Sequence, residues 1–347
     1  MAGQPVRVGI VGAGANTRLR HIPGFREIEG VELTGVVNST AESTRRAADE
    51  FGIPKSYADW RALVEDADLD AVMIGTWPNL HCEVTCAALA AGKHVLTEAR
   101  MARNLDEARR MLQAAEDHPD LVAQIVPSPF GLVQHEYVRE LIDDGFLGEL
   151  RELVVIGANS QFADNTQPLH WRQDREISGQ NILAMGILHE TALRWAPPPV
   201  RVFAQTALFE PERPAGEGTA TATVPDSLQI VTELAGGGRG LYHFSGIAHF
   251  GPGLQIHLYG SAGTIKLEVA PQARLLIGRA GEEQLRVAEI PAEKQGGWRV
   301  EAEFIGAIRG EEPVRFTDFA TGVKYMEFTA AVTQSAQLKE PVSLPLP

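Results

Sequence analysis

Disulfides, membrane spans and nucleic-acid surfaces are all poorly provided for in this chain. Of 347 residues only two are cysteine, Cys82 and Cys86. That excludes a disulfide scaffold and fits a reducing compartment. The two thiols are four apart in a helix-like run beside His81, so they share a helical face. No further ligands follow at a zinc-like spacing, and no metal site is expected. No stretch approaches about 18 apolar residues, so neither a transmembrane helix nor a membrane partner is expected. Basic residues are in deficit: 31 Lys and Arg face 45 Asp and Glu, a net charge of −14. They form no cluster, which argues against nucleic acid, because phosphate neutralisation needs grouped cations. A local anion site made of backbone N–H groups at a helix end remains compatible with that charge. Internal repeats and low-complexity tracts are absent as well.

What is present is an ordinary globular composition, 44% apolar and 22% charged, at a length that suggests two domains. The opening MAGQPVRVGIVGAGA runs straight into a glycine motif rather than a signal-peptide cleavage pattern, so a cytoplasmic location is expected. Short β-branched runs at 6–11, 31–37, 69–76, 94–97 and 121–126 alternate with helical patterns at 16–27, 41–51, 57–66, 80–91 and 104–117. That alternation predicts parallel β-α-β units. After Pro127 the rhythm changes. One helix (133–144) leads into strands at 150–160, 200–207, 227–235, 239–249, 254–259 and 263–269, several separated by glycine turns, and helices near 298–309 and 317–337 close the chain. Such spacing predicts a largely antiparallel sheet. The expected fold is therefore α/β, with residues 1–125 as a Rossmann domain and 126–347 as a second α/β domain.

The first motif is Gly12-Ala13-Gly14-Ala15-Asn16-Thr17. Following a strand and opening a helix, it has the context of a dinucleotide fingerprint. Gly12 would permit the tight turn and Gly14 the approach of a pyrophosphate, with N–H donors and a favourable dipole at Ala15 and Asn16. Thr17 stands where a third glycine is usual, so slightly looser helix–strand packing is expected there. At the end of the second strand stand Asn38, Ser39 and Thr40, where an NAD site usually carries Asp or Glu. Asn38 cannot repel a 2′-phosphate, and Ser39, Thr40 and Arg45 offer it hydrogen bonds. The expected cofactor is NAD or NADP, with NADP slightly favoured.

Thr76-Trp77-Pro78-Asn79-Leu80-His81, followed by AALAAGKHVLTEARMA, resembles the glucose–fructose oxidoreductase / inositol dehydrogenase (Gfo/Idh/MocA) family. So do GFLGE at 145–149, Trp171-Arg172, the run 178–195, GSAGTIKLE at 260–268 and Ser335-Ala336. The resemblance covers nearly the whole chain. It implies a Rossmann domain joined to a domain with a large open sheet, homo-oligomers formed through that sheet, and NAD(P) chemistry on sugars, inositols or polyols. It also implies that Thr76, Pro78, Asn79, His81 and Glu98 lie along a cofactor cleft.

Aligned on the resemblance, the family's Glu-Lys-Pro falls on Glu98-Ala99-Arg100, so its lysine is Ala99. Its Asp and His positions fall on Ala184 and Leu188, and a one-residue slip that restores His189 puts Met185 at the Asp position. Hydride transfer at an alcohol carbon needs a group to move the hydroxyl proton. His189 is the expected proton carrier on grounds of its ordinary pKa, against a plain core role. Arg100 and Arg172 stay protonated and suit an oxyanion or carboxylate. His170, Trp171 and Asn181 are the expected substrate contacts, and Gln180 is a further polar candidate. His243 and His249 are expected on one sheet face. Three functions stay open: a dehydrogenase with an altered acid–base set, a redox-neutral lyase, hydrolase or epimerase holding NAD, and a non-catalytic binding member.

Overall fold

A computed structural model describes residues 4–215, 218–269 and 273–347. The chain divides into two compact units. The first comprises residues 1–127 and 299–326, the second residues 128–298 and 327–347.

The first unit is built on six parallel strands: β1 (Val6–Val11), β2 (Val31–Val37), β3 (Lys55–Ser56), β4 (Ala71–Ile74), β5 (His94–Thr97) and β6 (Ala123–Ile125). Their order is β3-β2-β1-β4-β5-β6, so the direction of winding reverses between β1 and β4. In open α/β sheets a ligand sits at the carboxyl ends of the strands beside such a reversal. The connecting helices are α1 (Ile22–Arg26), α2 (Ala41–Phe51), α3 (Trp60–Val64), α4 (Pro78–Ala90) and α5 (Leu105–Glu116). Val8, Ile10, Val36, Val72, Met73, Val95 and Leu96 are fully enclosed by these layers, which is why β1, β4 and β5 read as continuous apolar runs. Local signals set the helix ends. The Thr40 side chain accepts from Ser43 N–H in a capping box, and Gly52 at φ 55° closes α2. The helix expected over 16–27 is interrupted: Thr17–His21 form a wide π-type turn, with Ile22 N–H reaching back to the Thr17 carbonyl. Pro23, at the start of α1, has no N–H to continue the regular ladder.

The second unit carries α6 (His135–Asp143), α7 (Arg175–Ser178) and α8 (Met185–Leu193). Its strands are β7 (Leu150–Ala158), β8 (Pro199–Ala207), β9 (Glu212–Ala215), β10 (Gly218–Thr221), β11 (Ser227–Leu234), β12 (Arg239–Ser245), β13 (Gly253–Gly260), β14 (Gly263–Glu268), β15 (Arg274–Arg279), β16 (Arg286–Val287) and β17 (Val342–Ser343). Nine of them form one sheet in the order β16-β15-β14-β13-β7-β12-β11-β8-β17, and β9–β10 form a separate hairpin. Among the described residues only the β7–β12 pair is parallel in the large sheet, with β7 antiparallel to β13 and β11 antiparallel to β8 and β12. One face packs Val155, Leu188, Tyr242, Phe244, Ile256 and Phe328 into a common core.

Helices α9 (Val300–Ile308) and α10 (Phe319–Leu338) come last before strand β17. The single boundary at residue 125 is corrected here: residues 299–326 return to the first unit. There Ile125 N–H donates to the Thr317 carbonyl (2.9 Å), and Tyr325 Oη accepts from Met101 N–H (2.5 Å). The expected strand 239–249 ends at Ser245, so His249 lies in the following turn and shares no strand with His243.

Candidate active site

The glycine turn after β1 is shaped by its neighbours. Gly12 has φ +91°, and a β-carbon there would lie 2.9 Å from the Gly75 carbonyl carbon and Thr76 nitrogen. Glycine is required at this position by the fold itself. Gly14 differs: it is exposed, and a β-carbon would meet only the Gly75 carbonyl oxygen, at 3.5 Å. Its bareness leaves an open cradle beside the backbone. Thr17, in place of a third glycine, is 1% exposed, and its hydroxyl donates to the Gly12 carbonyl (3.0 Å). The looser packing expected here does not occur, because Gly75 gives up the space that Thr17 fills.

Loops at the ends of β2, β4 and β5 close on this turn. Ala13 N–H donates to Asn38 Oδ1 (2.7 Å), and Asn38 Nδ2 donates to the Ser43 carbonyl (3.0 Å). Both ends of the Asn38 amide thus tie the glycine turn to α2, while the Thr40 hydroxyl caps that helix. Ser39 is exposed. Behind Thr76, the fully buried His81 ring spans the Thr76 carbonyl (3.0 Å) and the Arg100 carbonyl (2.9 Å). Burial lowers its pKa. His81 therefore spaces the β4 and β5 loops rather than facing a ligand. Pro78 opens α4 and is buried, and Asn79 Oδ1 is a buried acceptor with no hydrogen-bond partner.

Beyond β5, Glu98 belongs to a cluster with Asn16 and with His21 and Glu301, the last two of which sequence reasoning did not single out. His21 is 0% exposed and lies between two carboxylates: its Nδ1 is 2.5 Å from Glu301 Oε1 and its Nε2 is 3.0 Å from Glu98 Oε1. Asn16 Nδ2 also donates to Glu98 Oε1. Burial opposes a charge on His21, yet the hydrogen bonds to Glu301 and Glu98 outweigh it and raise the imidazole to about 9. Burial pushes Glu98 up, and the His21 hydrogen bond and charge more than reverse this, leaving it below the usual carboxylate range. His21 precedes α1 and Glu301 stands on α9, 280 residues later in the chain. A histidine at the end of the turn opened by a glycine motif was the one local signal available.

The candidates thus fall into groups. Gly12, Gly14, Ala15, Asn16, Asn38, Thr76, His81 and Glu98 are brought together at the strand ends of the first unit, with Ser39 and Thr40 at the start of α2. Arg100 is 2% exposed, and its carbonyl meets the His81 ring. In the second unit His170, Trp171 and Arg172 form a stack. The Arg172 guanidinium lies 4.1 Å from the Trp171 ring centre, and the His170 and Trp171 centres are 5.6 Å apart. His170 Nδ1 also accepts from Arg172 N–H (3.1 Å). His189 is not with them. It is 1% exposed, stacked 3.6 Å from Phe328, and 3.2 Å from Tyr242 Oη, with its pKa pushed down to about 3 by burial. A ring so enclosed and so hard to protonate is a core residue, which corrects its expected role as the proton carrier. Asn181 is likewise buried, its amide donating to the Ser178 carbonyl (2.7 Å) across a tight turn, so its expected substrate contact is replaced by a structural one. Among the described residues no three His, Cys, Asp or Glu side chains are grouped to hold a metal, and no helix is long and apolar enough to cross a membrane.

A parallel sheet reversing beside an open glycine cradle defines a Rossmann-type dinucleotide protein, here joined to a sheet-based second domain. The family profile described as "Oxidoreductase family, NAD-binding Rossmann fold" matches residues 6–125, and the one described as "GFO/IDH/MocA C-terminal domain" matches residues 135–266. The chain belongs to the Gfo/Idh/MocA family. It is 29% identical over 191 residues to levoglucosan dehydrogenase of Pseudarthrobacter phenanthrenivorans, covering 54% of this chain and 48% of that protein. It is 36% identical over 186 residues to 1,5-anhydro-D-fructose reductase of Ensifer adhaerens, covering 53% of this chain and 54% of that one. The matched stretches thus span about half the length of these relatives. The likeness in fold extends along nearly the whole chain: levoglucosan dehydrogenase in complex with NADH and L-sorbose superposes with a TM-score of 0.88 at 23% identity, over 99% of this chain and 100% of that one.

Proposed function

We propose that this protein is an NAD(P)-dependent oxidoreductase acting on a sugar, polyol or related hydroxy compound, with an acid–base set unlike its family's usual one. The observation that carries this reading is the cradle at Gly14, a glycine that the fold does not itself need, placed where a pyrophosphate would meet backbone N–H groups. The unpartnered Asn79 Oδ1 and the carboxylate of Glu98, both on the β4–β5 side, suit the amide and hydroxyls of the nicotinamide half. The bound dinucleotide supplies hydride transfer. The chain's own residues position it: Gly12, Ala15 and Asn16 at the pyrophosphate, Thr76 and Glu98 beyond it, and Asn38 indirectly by holding Ala13. No carboxylate ends β2, which supports acceptance of NADP alongside NAD, with NADP slightly favoured.

Sugar-like substrates follow from the relatives' names, and the His170–Trp171–Arg172 stack supports them, since an aromatic face and guanidinium donors suit a hydroxyl-rich ring. Two free thiols suit a cytoplasmic location. The outer face of the large sheet supports a homo-oligomer. Phe203, Val231 and Leu241 are 41%, 51% and 48% exposed and lie in one row across β8, β11 and β12.

Fluorescence titration with NADH and NADPH, followed by turnover assays on a panel of anhydrosugars and polyols, tests the reading. Saturable binding of at least one nucleotide with turnover of a hydroxy compound is expected. Absence of binding to both overturns it, and binding without turnover reduces the protein to a nucleotide-binding member.

A further inference from the structure

Oxidising a hydroxyl to a carbonyl breaks two bonds: the hydrogen of the C–H bond would leave with its electron pair as hydride, which a bound dinucleotide would accept, and the O–H bond releases a proton while its electron pair completes the C=O. The proton needs a base of this chain. Ala99 has no titratable group, and His189 is locked in the core. At the carboxyl end of β5 the remaining titratable side chain is Glu98, and behind it lies the buried His21–Glu301 pair.

We infer, building on the oxidoreductase reading above, that Glu98 exchanges the hydroxyl proton and that His21, fixed by Glu301, is the positioning residue behind it. The geometry has a direction. Glu301 is 3% exposed and His21 0%, whereas Glu98 is 14% exposed. Glu98 is therefore the one member of the three that solvent or a ligand reaches. One carboxylate oxygen, Oε1, is engaged by His21 Nε2 and Asn16 Nδ2; the other, Oε2, has the Ala99 N–H at 3.3 Å. The arrangement of buried carboxylate, imidazole and reacting group follows the same logic as a catalytic triad, in which the outer acid fixes the ring and its charge. A close approach of α1 to α9 makes it possible: a β-carbon on Gly24 would lie 2.7 Å from Glu301 Cδ and Oε2.

The groups facing His21 are Glu98 from the β5 loop, Glu301 from α9 and the uncharged Asn16 from the glycine turn. His81 on α4 acts on Glu98 electrostatically, and burial holds it toward its neutral form. In the reductive direction Glu98 takes a proton from water at its exposed edge and gives it to the carbonyl oxygen, and the imidazolium beside Oε1 stabilises the carboxylate that is left. In the oxidative direction Glu98 takes the hydroxyl proton and releases it to water at its exposed edge.

The test combines three variants, Glu98→Gln, His21→Asn and Glu301→Gln, with NADH titration, histidine NMR and turnover of the anhydrosugar and polyol panel. NMR of histidine-labelled wild type is expected to show His21 as an imidazolium at pH 7.5, and Glu301→Gln to move its titration toward acid. Glu98→Gln is expected to lower turnover by about 100-fold or more and to lower NADH affinity by a smaller factor. His21→Asn is expected to lower turnover by about tenfold and to flatten the pH profile. A neutral His21 at pH 7.5 overturns the inference. So does a Glu98→Gln enzyme within tenfold of wild-type turnover, or one whose affinity falls as far as its turnover. Wild type that turns over nothing in the panel overturns the oxidoreductase reading and the relay with it; wild type that turns over with Glu98→Gln unaffected overturns the relay alone.

Discussion

Thr17 and Gly75 fit together as a side chain and the space left for it. A β-carbon on Gly75 would stand 2.1 Å from Thr17 Oγ1 and 2.3 Å from the Gly12 carbonyl oxygen, while the Thr17 hydroxyl donates to that same carbonyl. The family fingerprint usually gains close helix–strand packing from a glycine on the helix. Here the glycine has moved to the end of β4, and the helix side carries the hydroxyl.

Gly75→Ala is therefore expected to destabilise the first unit by about 2–3 kcal/mol, since backbone as well as side chain must shift, and to weaken NADH binding with it. Urea unfolding and NADH titration measure both. A variant with wild-type stability and affinity would show that the Thr17–Gly75 contact is slack.

Gly14→Ala separates binding from folding. Its β-carbon meets only the Gly75 carbonyl oxygen at 3.5 Å, so the unfolding free energy should change by no more than about 0.5 kcal/mol. The same methyl occupies the space that a pyrophosphate would use. NADH affinity should fall by about tenfold or more, a loss of about 1.4 kcal/mol or greater. Equal affinity in wild type and variant would remove the cradle from the binding site.

These two glycines show what the sequence made legible. Helix 41–51 and strands 31–37 and 94–97 were readable to the residue, because a Thr-Ser capping pair, a closing glycine and β-branched runs act locally. The glycine motif was readable as a tight turn after β1 for the same reason. The charged cluster was not. His21 and Glu301 are 280 residues apart, and nothing local marks α9 as returning to the first unit. His189 was misread because one step along a helix turns a side chain by about 100°, and that step decides between cleft and core. The β9–β10 hairpin was missed because Glu212-Arg213-Pro214-Ala215 carries no alternating apolar pattern. Its Arg213 is buried instead by donating to the Phe162 and Asp164 carbonyls.

His21 and His189 pull stability in opposite directions with pH. His21 binds its proton more tightly in the folded state, about 9 against an ordinary 6.5. Its contribution is fully present below pH about 6.5 and is lost as pH rises through about 9. His189 is held neutral, at about 3, so the unfolded chain gains a proton first and stability falls as pH drops from about 6.5 toward 3. The buried His189 should cost about 2–3 kcal/mol between pH 6.5 and pH 4. His189→Phe should make that acid limb shallower, the remainder coming from His135 and His257, which burial also lowers to about 4, and His21→Gln should do the same to the alkaline limb. Urea unfolding at half-unit steps from pH 4 to pH 10 measures both limbs, and limbs unchanged in the variants would assign the pH dependence elsewhere.

The sheet's outer face bears on assembly. Val231 pairs with Phe203 on one side and Leu241 on the other, and Leu241 in turn with Val154 on β7, so four apolar side chains cross four adjacent strands in register. Phe203, Val231 and Leu241 are exposed, and a contiguous exposed apolar row is the pattern of a buried contact between subunits. A two-fold axis through the sheet would lay the row against its own copy. Val231→Lys combined with Leu241→Lys then places like charges opposite one another, where an ammonium loses its hydration with no partner to replace it. Sedimentation velocity should show wild type as a dimer or larger and the double variant as a monomer, with NADH binding retained because the row belongs to the second unit and the cradle to the first. A wild-type monomer at about 10 μM, a concentration at which a stable dimer would persist, would leave this face as ordinary surface.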